Sequence, residues 1–164
     1  MDKEIPIISI VAWSGTGKTT FLEKLIPVLK NKGLRVGVIK HDAHRFEIDK
    51  EGKDSWRLTQ AGADVTALIS PDRAVIMENR AVELEHLIAQ ICDVDLLLTE
   101  GYKFGNWPKI LLYRKELGKP IPIDPQKCFA VVSDVSIHTS CPLFSLDEVD
   151  LVADLICSRV PHFA

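Results

Sequence analysis

Apolar residues in this chain form short continuous runs, and between the runs apolar positions recur every three or four residues. The runs predict strands covered on both faces, because such strands have no polar side to alternate with. They cover residues 7–11, 34–40, 93–101, 109–113 and 128–132. The spaced segments predict amphipathic helices. The first helix covers residues 18–31 and ends at Gly33, with Pro27 predicting a bend or a split inside it.

The middle of the chain has a different pattern. Residues 65–69 and 73–77 flank a Pro71-Asp72 turn and predict an antiparallel hairpin. A helix capped by Asp54 or Ser55 is predicted before the hairpin. Two further helices are predicted by their apolar spacing, one carrying Val82, Leu84, Leu87, Ile88 and Ile91 and a last one carrying Leu146, Val149, Val152, Leu155 and Ile156.

A phosphate-binding P-loop lies between the first strand and the first helix, in Ala12-Trp13-Ser14-Gly15-Thr16-Gly17-Lys18-Thr19. Its glycines let successive N–H groups point into one concavity at a helix N-terminus, which suits an anion. Ala12 replaces the usual first glycine, at a position where a small side chain matters most. We expect Lys18 to reach the outer phosphates and the Thr19 hydroxyl to bind Mg²⁺. The predicted nucleotide-binding residues here are Ser14, Gly15, Thr16, Gly17, Lys18, Thr19 and Thr20.

The P-loop and the strand pattern together predict an α/β fold of the P-loop NTPase-like kind. We expect a mostly parallel sheet flanked by helices, with an inserted antiparallel hairpin, in a single nucleotide-binding domain over residues 1–164. In such sheets ligands bind at the carboxyl ends of the strands. We therefore expect catalytic and ligand-binding residues where the strands end.

Two strands end in residues suited to phosphate chemistry. Glu100 ends the run 93–101, where a carboxylate reaches magnesium or polarises an attacking group, whereas Asp95 should face the opposite edge. The second strand ends at Lys40, His41 and Asp42. We assign catalytic roles to Lys18, Asp42 and Glu100, metal binding to Thr19 and Glu100, and phosphate or substrate contact to Lys40, His41, Lys53 and Lys103.

The segment after the second strand admits two interpretations. Residues 42–57 mix five acidic with four basic residues, which is typical either of a functional loop exchanging ion pairs or of a solvated loop. His41 and His44 have the spacing of metal ligands, but no Cys/His cluster elsewhere completes a zinc site. Hydrogen bonding or phosphate contact is the favoured role of these histidines.

Composition restricts the class of protein. The chain has 164 residues, 46% hydrophobic and 26% charged, with a net charge of −3, which makes no overall case for nucleic acid or an anionic membrane as partner. Its four cysteines are widely spread and predict neither a zinc knuckle nor a disulfide framework. The charged N-terminus and the lack of a long apolar segment argue against a secretory signal and a membrane span, so we expect a cytoplasmic protein.

Specific segments carry a resemblance to a known family. In order they are the P-loop with Thr20, Lys40-His41-Asp42-Ala43-His44, Gly52-Lys53-Asp54-Ser55, Ala61-Gly62-Ala63 and Thr99-Glu100-Gly101-Tyr102-Lys103. With these segments the chain resembles the MobB family of GTP-binding adaptor proteins of molybdopterin-guanine dinucleotide biosynthesis, most clearly up to about Tyr113. The resemblance implies a homodimeric, weakly hydrolytic binder of GTP and Mg²⁺. It also implies a guanylyltransferase partner that attaches GMP to molybdopterin, and molybdopterin itself as a possible ligand.

Guanine recognition has one candidate residue. Asp134 follows the last predicted core strand at the edge where a base would lie. A carboxylate can accept both the N1–H and N2–H donors of guanine, whereas adenine presents only its N6 donor there. The usual Asn-Lys-x-Asp signature is absent, and a turn role for Asp134 is the alternative.

The region after Glu100 is rich in positive charge. Residues 102–127 hold six basic and two acidic side chains together with the aromatic Phe104, Trp107 and Tyr113. Such a surface suits a phosphorylated pterin or a partner protein. Solvated loop lysines beside a hairpin are the alternative interpretation.

Two functions of different class remain open at this stage. One is a GTP-binding adaptor with slow hydrolysis, and the other is a small-molecule kinase that uses Asp42 or Glu100 as base. Small kinases need an arginine-bearing lid, and the arginines here are scattered, with Arg45 and Arg57 as candidates. A metal-chaperone GTPase is a third hypothesis, disfavoured by the missing Cys/His cluster.

Overall fold

The computed structural model describes residues 5–41, 46 and 48–159. The chain divides into two compact units, one formed by residues 1–41 with 93–164 and one by residues 42–92. In chain order the elements are β1 (Ile7–Val11), α1 (Lys18–Asn31), β2 (Val36–Lys40), α2 (Asp54–Gln60), β3 (Val65–Ile69), β4 (Ala74–Glu78), α3 (Leu84–Gln90), β5 (Leu96–Glu100), β6 (Lys109–Tyr113), β7 (Ala130–Ser133), β8 (Leu143–Phe144) and α4 (Val149–Arg159). Two short 3₁₀ turns cover Lys115–Leu117 and Pro125–Lys127.

The larger unit is built on a six-stranded parallel sheet in the order β2-β5-β1-β6-β7-β8. β1 lies between β5 and β6, so three strand ends converge beside the loop that follows Val11. All five residues of β5 are buried, as the continuous apolar run predicts for an inner parallel strand. The predicted α/β fold with a mostly parallel sheet is confirmed.

Helices α1 and α4 pack on one face of this sheet. Side chains alternate between faces along each strand, so Ile110 and Leu112 contact the helices while Leu111 joins a smaller cluster on the opposite face with Cys128, Val131 and Ile137. The main core consists of apolar side chains buried between the sheet and the helices. It includes Ile8, Ile10, Leu22, Leu25, Leu29, Leu96, Leu98, Val132, Val152 and Ile156. The core thus holds the carboxyl edge of the sheet in place.

The first helix follows its predicted bounds and is not split at Pro27. The helix ends just before Gly33, as predicted. The N–H of Gly33 donates to the carbonyl of Lys30 at 2.9 Å and that of Leu34 to Leu29 at 3.2 Å, with Gly33 at a left-handed φ of 89°. These two bonds form a Schellman cap, which satisfies carbonyls that the helix leaves unpaired.

Some boundaries differ from expectation. The run 128–132 was predicted as the last core strand, but the two-residue strand β8 follows β7 at the edge of the sheet. A strand this short leaves no periodic signal in the sequence. β2 begins at Val36 rather than at residue 34. The preceding Arg35 donates its main-chain N–H to the side-chain carboxylate of Asp95 at 2.9 Å, and its carbonyl accepts the Asp95 N–H at 2.7 Å.

The second unit contains α2, the hairpin and α3. β3 and β4 pair antiparallel, with Val65 opposite Glu78 at one end and Ile69 opposite Ala74 at the other. This confirms the predicted hairpin. The prediction that Asp54 or Ser55 caps the helix was wrong. Lys53 is the N-cap of α2, without a side-chain cap bond within the described residues, and Asp54 lies in the first turn. No helix in the described ranges is long and apolar enough to cross a membrane.

Candidate nucleotide-binding site

The loop between β1 and α1 is folded into a compact turn. Gly15 and Gly17 have φ of 83° and 94°, a left-handed conformation that favours glycine. Thr16 closes the turn, because its main-chain N–H and its hydroxyl both donate to the carbonyl of Trp13, at 3.3 and 2.9 Å. The Phe21 N–H then donates to Gly17 as the helix begins. The left-handed conformation of both glycines is compatible with the predicted anion-binding loop.

Lys18 folds its side chain back over this loop. Its ammonium donates to the carbonyls of Ala12 at 3.2 Å and Trp13 at 3.1 Å. Burial lowers the pKa of Lys18, the nearby Glu100 carboxylate opposes that shift, and Lys40 adds to it. Two neutral carbonyls only partly compensate a desolvated ammonium, so an anionic ligand would stabilise the charged form further.

Thr19 and Glu100 are brought together by the sheet. The Thr19 hydroxyl lies 3.1 and 3.3 Å from the two carboxylate oxygens of Glu100, whose side chain is only 9% exposed. Glu100 is fixed from both neighbouring strands, in register with Ile10 of β1 and Lys40 of β2. Its carbonyl also accepts the main-chain N–H of His41 at 3.0 Å. The predicted pair is therefore in contact.

This pair fits a magnesium ion. Mg²⁺ prefers oxygen ligands, keeps several waters and is bound through one or two carboxylates together with substrate phosphates. A hydroxyl and a buried carboxylate at the mouth of a phosphate loop supply that donor set. Across residues 5–41, 46 and 48–159, no group of three or more His, Cys, Asp or Glu side chains is arranged to hold a metal. The remaining ligands would come from phosphate and water.

Other predicted site residues lie near the carboxyl ends of β1, β2 and β5. Lys40 ends β2 opposite Glu100, and the ring of His41 lies against that of Tyr102 with centroids 4.8 Å apart. The Lys103 ammonium lies 5.3 Å from the centroid of the Trp13 ring. Lys40, His41 and Lys103 are thus grouped near the loop, and their contacts with phosphate remain predictions.

Three other predicted residues lie outside the described part of the larger unit. Asp42 and His44 lie outside the described residues. Lys53 lies in the second unit, at the N-cap of α2. Their predicted roles in catalysis, hydrogen bonding and phosphate contact remain predictions.

Part of the basic segment contacts Trp13, in the loop between β1 and α1. The indole N–H of Trp13 donates to the carbonyl of Pro120 at 2.6 Å, and the Lys119 ammonium lies 5.7 Å from the ring centroid of Trp13. Lys103 also lies 4.9 Å from the exposed Phe104 ring. The positive charge predicted from residues 102–127 is therefore partly concentrated at Trp13, as cation–π contacts.

Asp134 lies at the carboxyl end of β7, as predicted. It is exposed, and its Oδ1 accepts the main-chain N–H of Lys115 at 3.0 Å. The predicted alternative of a turn role thus has a definite contact. Binding of a base by the same carboxylate stays a prediction.

Arg114 was missed by the sequence analysis. It follows β6, the strand that borders β1 on the side away from β5. An ideal Cβ placed on Gly17 would lie 3.6 Å from its guanidinium, so Arg114 covers the loop glycine directly. Its position after a parallel strand was the available signal, whereas the sequence pattern placed it only among the six basic residues of 102–127.

Comparison with known proteins identifies the family. A sequence model of the family described as Molybdopterin guanine dinucleotide synthesis protein B, MobB, matches residues 7–134. The chain belongs to the MobB family. The matched range begins with β1 and ends at Asp134, so the MobB match includes the predicted P-loop, Glu100 and Arg114. The predicted family resemblance is confirmed.

Relatives and solved structures agree with the MobB assignment. A Haemophilus influenzae protein named molybdopterin-guanine dinucleotide biosynthesis adapter protein is 40% identical, over 99% of this chain and 94% of that protein. The Escherichia coli protein of the same name is 38% identical, over 93% and 91%. The crystal structure of Bacillus subtilis MobB superposes with a TM-score of 0.77 at 31% identity, covering 96% of this chain and 99% of that one.

Proposed function

We propose that this protein is a GTP-binding adaptor of molybdenum cofactor biosynthesis that assists a guanylyltransferase in attaching GMP to molybdopterin. The observation that carries the proposal is the contact of Thr19 with the buried Glu100 near the Lys18 ammonium, in a chain of the MobB family. The names of the Haemophilus influenzae and Escherichia coli relatives support the biosynthetic role.

The residues of the site divide the work on a bound nucleotide. Amides of residues 14–20 hold the phosphates, and Lys18 neutralises charge on the outer ones. Thr19 and Glu100 would hold Mg²⁺, which supplies further neutralisation of the phosphate oxygens when bound. Because Glu100 already accepts from Thr19, we assign it to organising the metal and its water. Asp42, two residues beyond Lys40, is proposed to orient the attacking water.

Slow hydrolysis is part of the proposal. Efficient GTPases add an arginine that stabilises the transition-state charge. Arg114 instead covers Gly17 and pairs with Glu116, its Nη1 lying 3.2 Å from the carboxylate. Arg114 follows β6 and Glu100 ends β5, on opposite sides of β1, so we expect Arg114 to stay away from the outer phosphates. Weak turnover suits an adaptor whose task is binding and delivery.

The hairpin supports a homodimer as part of the proposal. Several of its apolar side chains are exposed, with Ile69 89% and Ile76 67% exposed. Exposed apolar clusters on a folded unit mark interaction surfaces. We assign this hairpin to self-association. We assign the two cations beside Trp13, Lys103 and Lys119, to contact with the guanylyltransferase or with phosphorylated molybdopterin.

The proposed location is the cytoplasm. The four cysteines are all free thiols, and Cys92 is exposed. An exposed free thiol persists in a reducing compartment. This agrees with a soluble biosynthetic role.

The decisive experiment follows binding, phosphate release and phosphoryl transfer separately. The full chain is incubated with labelled GTP or ATP and Mg²⁺, with and without molybdopterin and the guanylyltransferase. We expect GTP binding with slow phosphate release that the partner changes. Stoichiometric transfer of label to a small acceptor would show a kinase instead, and absence of nucleotide binding would refute the proposal.

A pair of variants on one helix tests the site itself. Lys18→Ala removes the ammonium over the loop and should weaken GTP binding about 10- to 100-fold, the effect of losing a charge-assisted contact. Lys30→Ala removes an exposed lysine from the last turn of the same helix and should leave affinity unchanged. Equal effects of the two substitutions would show that Lys18 is not a specific ligand.

A further inference from the structure

An open depression lies beside the P-loop, on the side of β1 opposite Glu100. Its volume is about 270 Å³, and it is lined by Gly17, Thr20, Phe21, Lys24, Arg114, Leu146 and Asp147. Enclosed sites for whole small molecules usually measure about 300–1,000 Å³. A depression slightly smaller than this suits one half of a nucleotide.

Neighbouring positions on α1 connect the depression to the phosphate site. Successive residues of a helix are about 100° apart, so Thr19 faces Glu100 while Thr20 lines the depression. Lys24 lies one turn further along the same face as Thr20. A nucleotide whose outer phosphates lie at Lys18 and Thr19 therefore extends past Thr20 into this space.

Arg114 forms one wall of the depression. Its guanidinium is held by Glu116 on one side and lies against Gly17 on the other. Its Nε is buried and makes no hydrogen bond to any described residue. A planar guanidinium stacks well on aromatic rings and offers donors in its plane. Phe21 and Leu146 add apolar surface.

We propose that this depression is the seat of the nucleoside half of the bound nucleotide, with the Arg114 guanidinium as the platform on which the purine lies. The inference rests on the proposed nucleotide-binding function and assigns a part of that site that sequence patterns do not indicate. The charged rim, where Lys24 and Asp147 pair at 3.4 Å, is exposed and contributes little energy of its own. Asp134, after β7, accepts the main-chain N–H of Lys115, so its carboxylate lies beside the turn that begins at Arg114.

The test separates the nucleoside from the phosphates by using two probes. Calorimetry of the full chain with Mg²⁺ compares GTP with inorganic tripolyphosphate. Arg114→Ala should weaken GTP binding about tenfold and leave tripolyphosphate binding unchanged, since stacking is lost and the phosphate loop is intact. Arg114→Lys should behave similarly because an ammonium lacks the plane. Lys115→Ala, an exposed cation on the same turn, is the matched control.

Each outcome decides a different claim. If wild-type protein binds neither probe, the proposed function and this inference both fail. If it binds both and Arg114→Ala binds GTP normally, only the nucleoside seat is refuted. An equal loss for both probes would make Arg114 a phosphate ligand and would also overturn the inference.

A second variant covers the possibility that Arg114→Ala unfolds. Asp147→Trp places a large ring at the rim from a side chain that is 91% exposed, so the fold should tolerate it. It should weaken GTP binding and leave tripolyphosphate binding unchanged. Photolabelling with 8-azido-GTP should mark peptides that contain residues 20–24 or 145–148. Label confined to other peptides would contradict the assignment.

Discussion

The Thr19 hydroxyl donates a hydrogen bond of 3.1 Å to the carboxylate of Glu100, 81 positions later in the chain. The contact joins the start of α1 to the end of β5, beside the predicted phosphate loop. Everything proposed about magnesium depends on it.

Replacing Glu100 by glutamine keeps an acceptor for Thr19 and removes the negative charge. We expect Glu100→Gln to weaken GTP binding in Mg²⁺ about tenfold or more, the effect of losing a charged ligand. In excess EDTA the variant and the wild type should bind equally. Calorimetry in the two conditions measures this. Glu23→Gln on the exposed side of α1 is the control, and a loss that persists in EDTA would contradict a metal-linked role.

The lowered pKa of Lys18 predicts a pH effect on binding. Between that lowered pKa and the ordinary 10.5, the unfolded chain holds the proton that the folded ligand-free protein releases, so stability without ligand rises with pH there. Phosphates favour the ammonium, so GTP binding should take up a proton in this window and weaken as pH rises. Calorimetry in two buffers of different ionisation enthalpy measures proton uptake. Persistence of uptake in Lys18→Ala would assign it to another group.

Asp134 is expected to contribute to guanine selectivity. Asp134→Asn removes a carboxylate that can accept two guanine donors, and should reduce the preference for GTP over ATP about tenfold. The matched control is Asp124→Asn, since Asp124 also accepts a main-chain N–H of a 3₁₀ turn, from Gln126 at 3.0 Å. Competition binding with both nucleotides measures the preference. An unchanged preference would leave Asp134 with its turn contact alone.

A buried hydroxyl pair should stabilise the join between β1 and β5. Ser9 and Thr99 lie 2.8 Å apart, oxygen to oxygen, and both are fully buried. Ser9→Ala leaves the Thr99 hydroxyl without this partner and should cost about 1–3 kcal/mol of unfolding free energy. The double variant with Thr99→Val should lose less than the sum of the two single losses.

Denaturant unfolding of the four proteins in this cycle gives the coupling energy. Ser158→Ala, at an exposed hydroxyl on α4, should change stability by less than about 0.5 kcal/mol. Strict additivity of the Ser9 and Thr99 effects would show that the hydroxyls do not stabilise each other.

The sequence by itself determined the local features of the site. Gly15, Gly17 and Lys18 specify the loop because backbone conformation and one nearby charge depend on adjacent residues. Gly33 ends α1 for the same reason, and the Pro71-Asp72 turn between alternating runs specifies the hairpin. An acidic residue at the end of an apolar run was enough to select Glu100.

Only the tertiary structure decided which strand ends meet. The order β2-β5-β1-β6-β7-β8 places Glu100 against Thr19 and Arg114 against Gly17, and both contacts join residues more than 80 positions apart. Strand order depends on how all apolar faces pack at once, so no local pattern reports it. The two-residue β8 also forms only because β7 is there to pair with it. Adjacent residues thus specified the predicted phosphate loop, and the packing of the sheet placed Glu100 and Arg114 beside it.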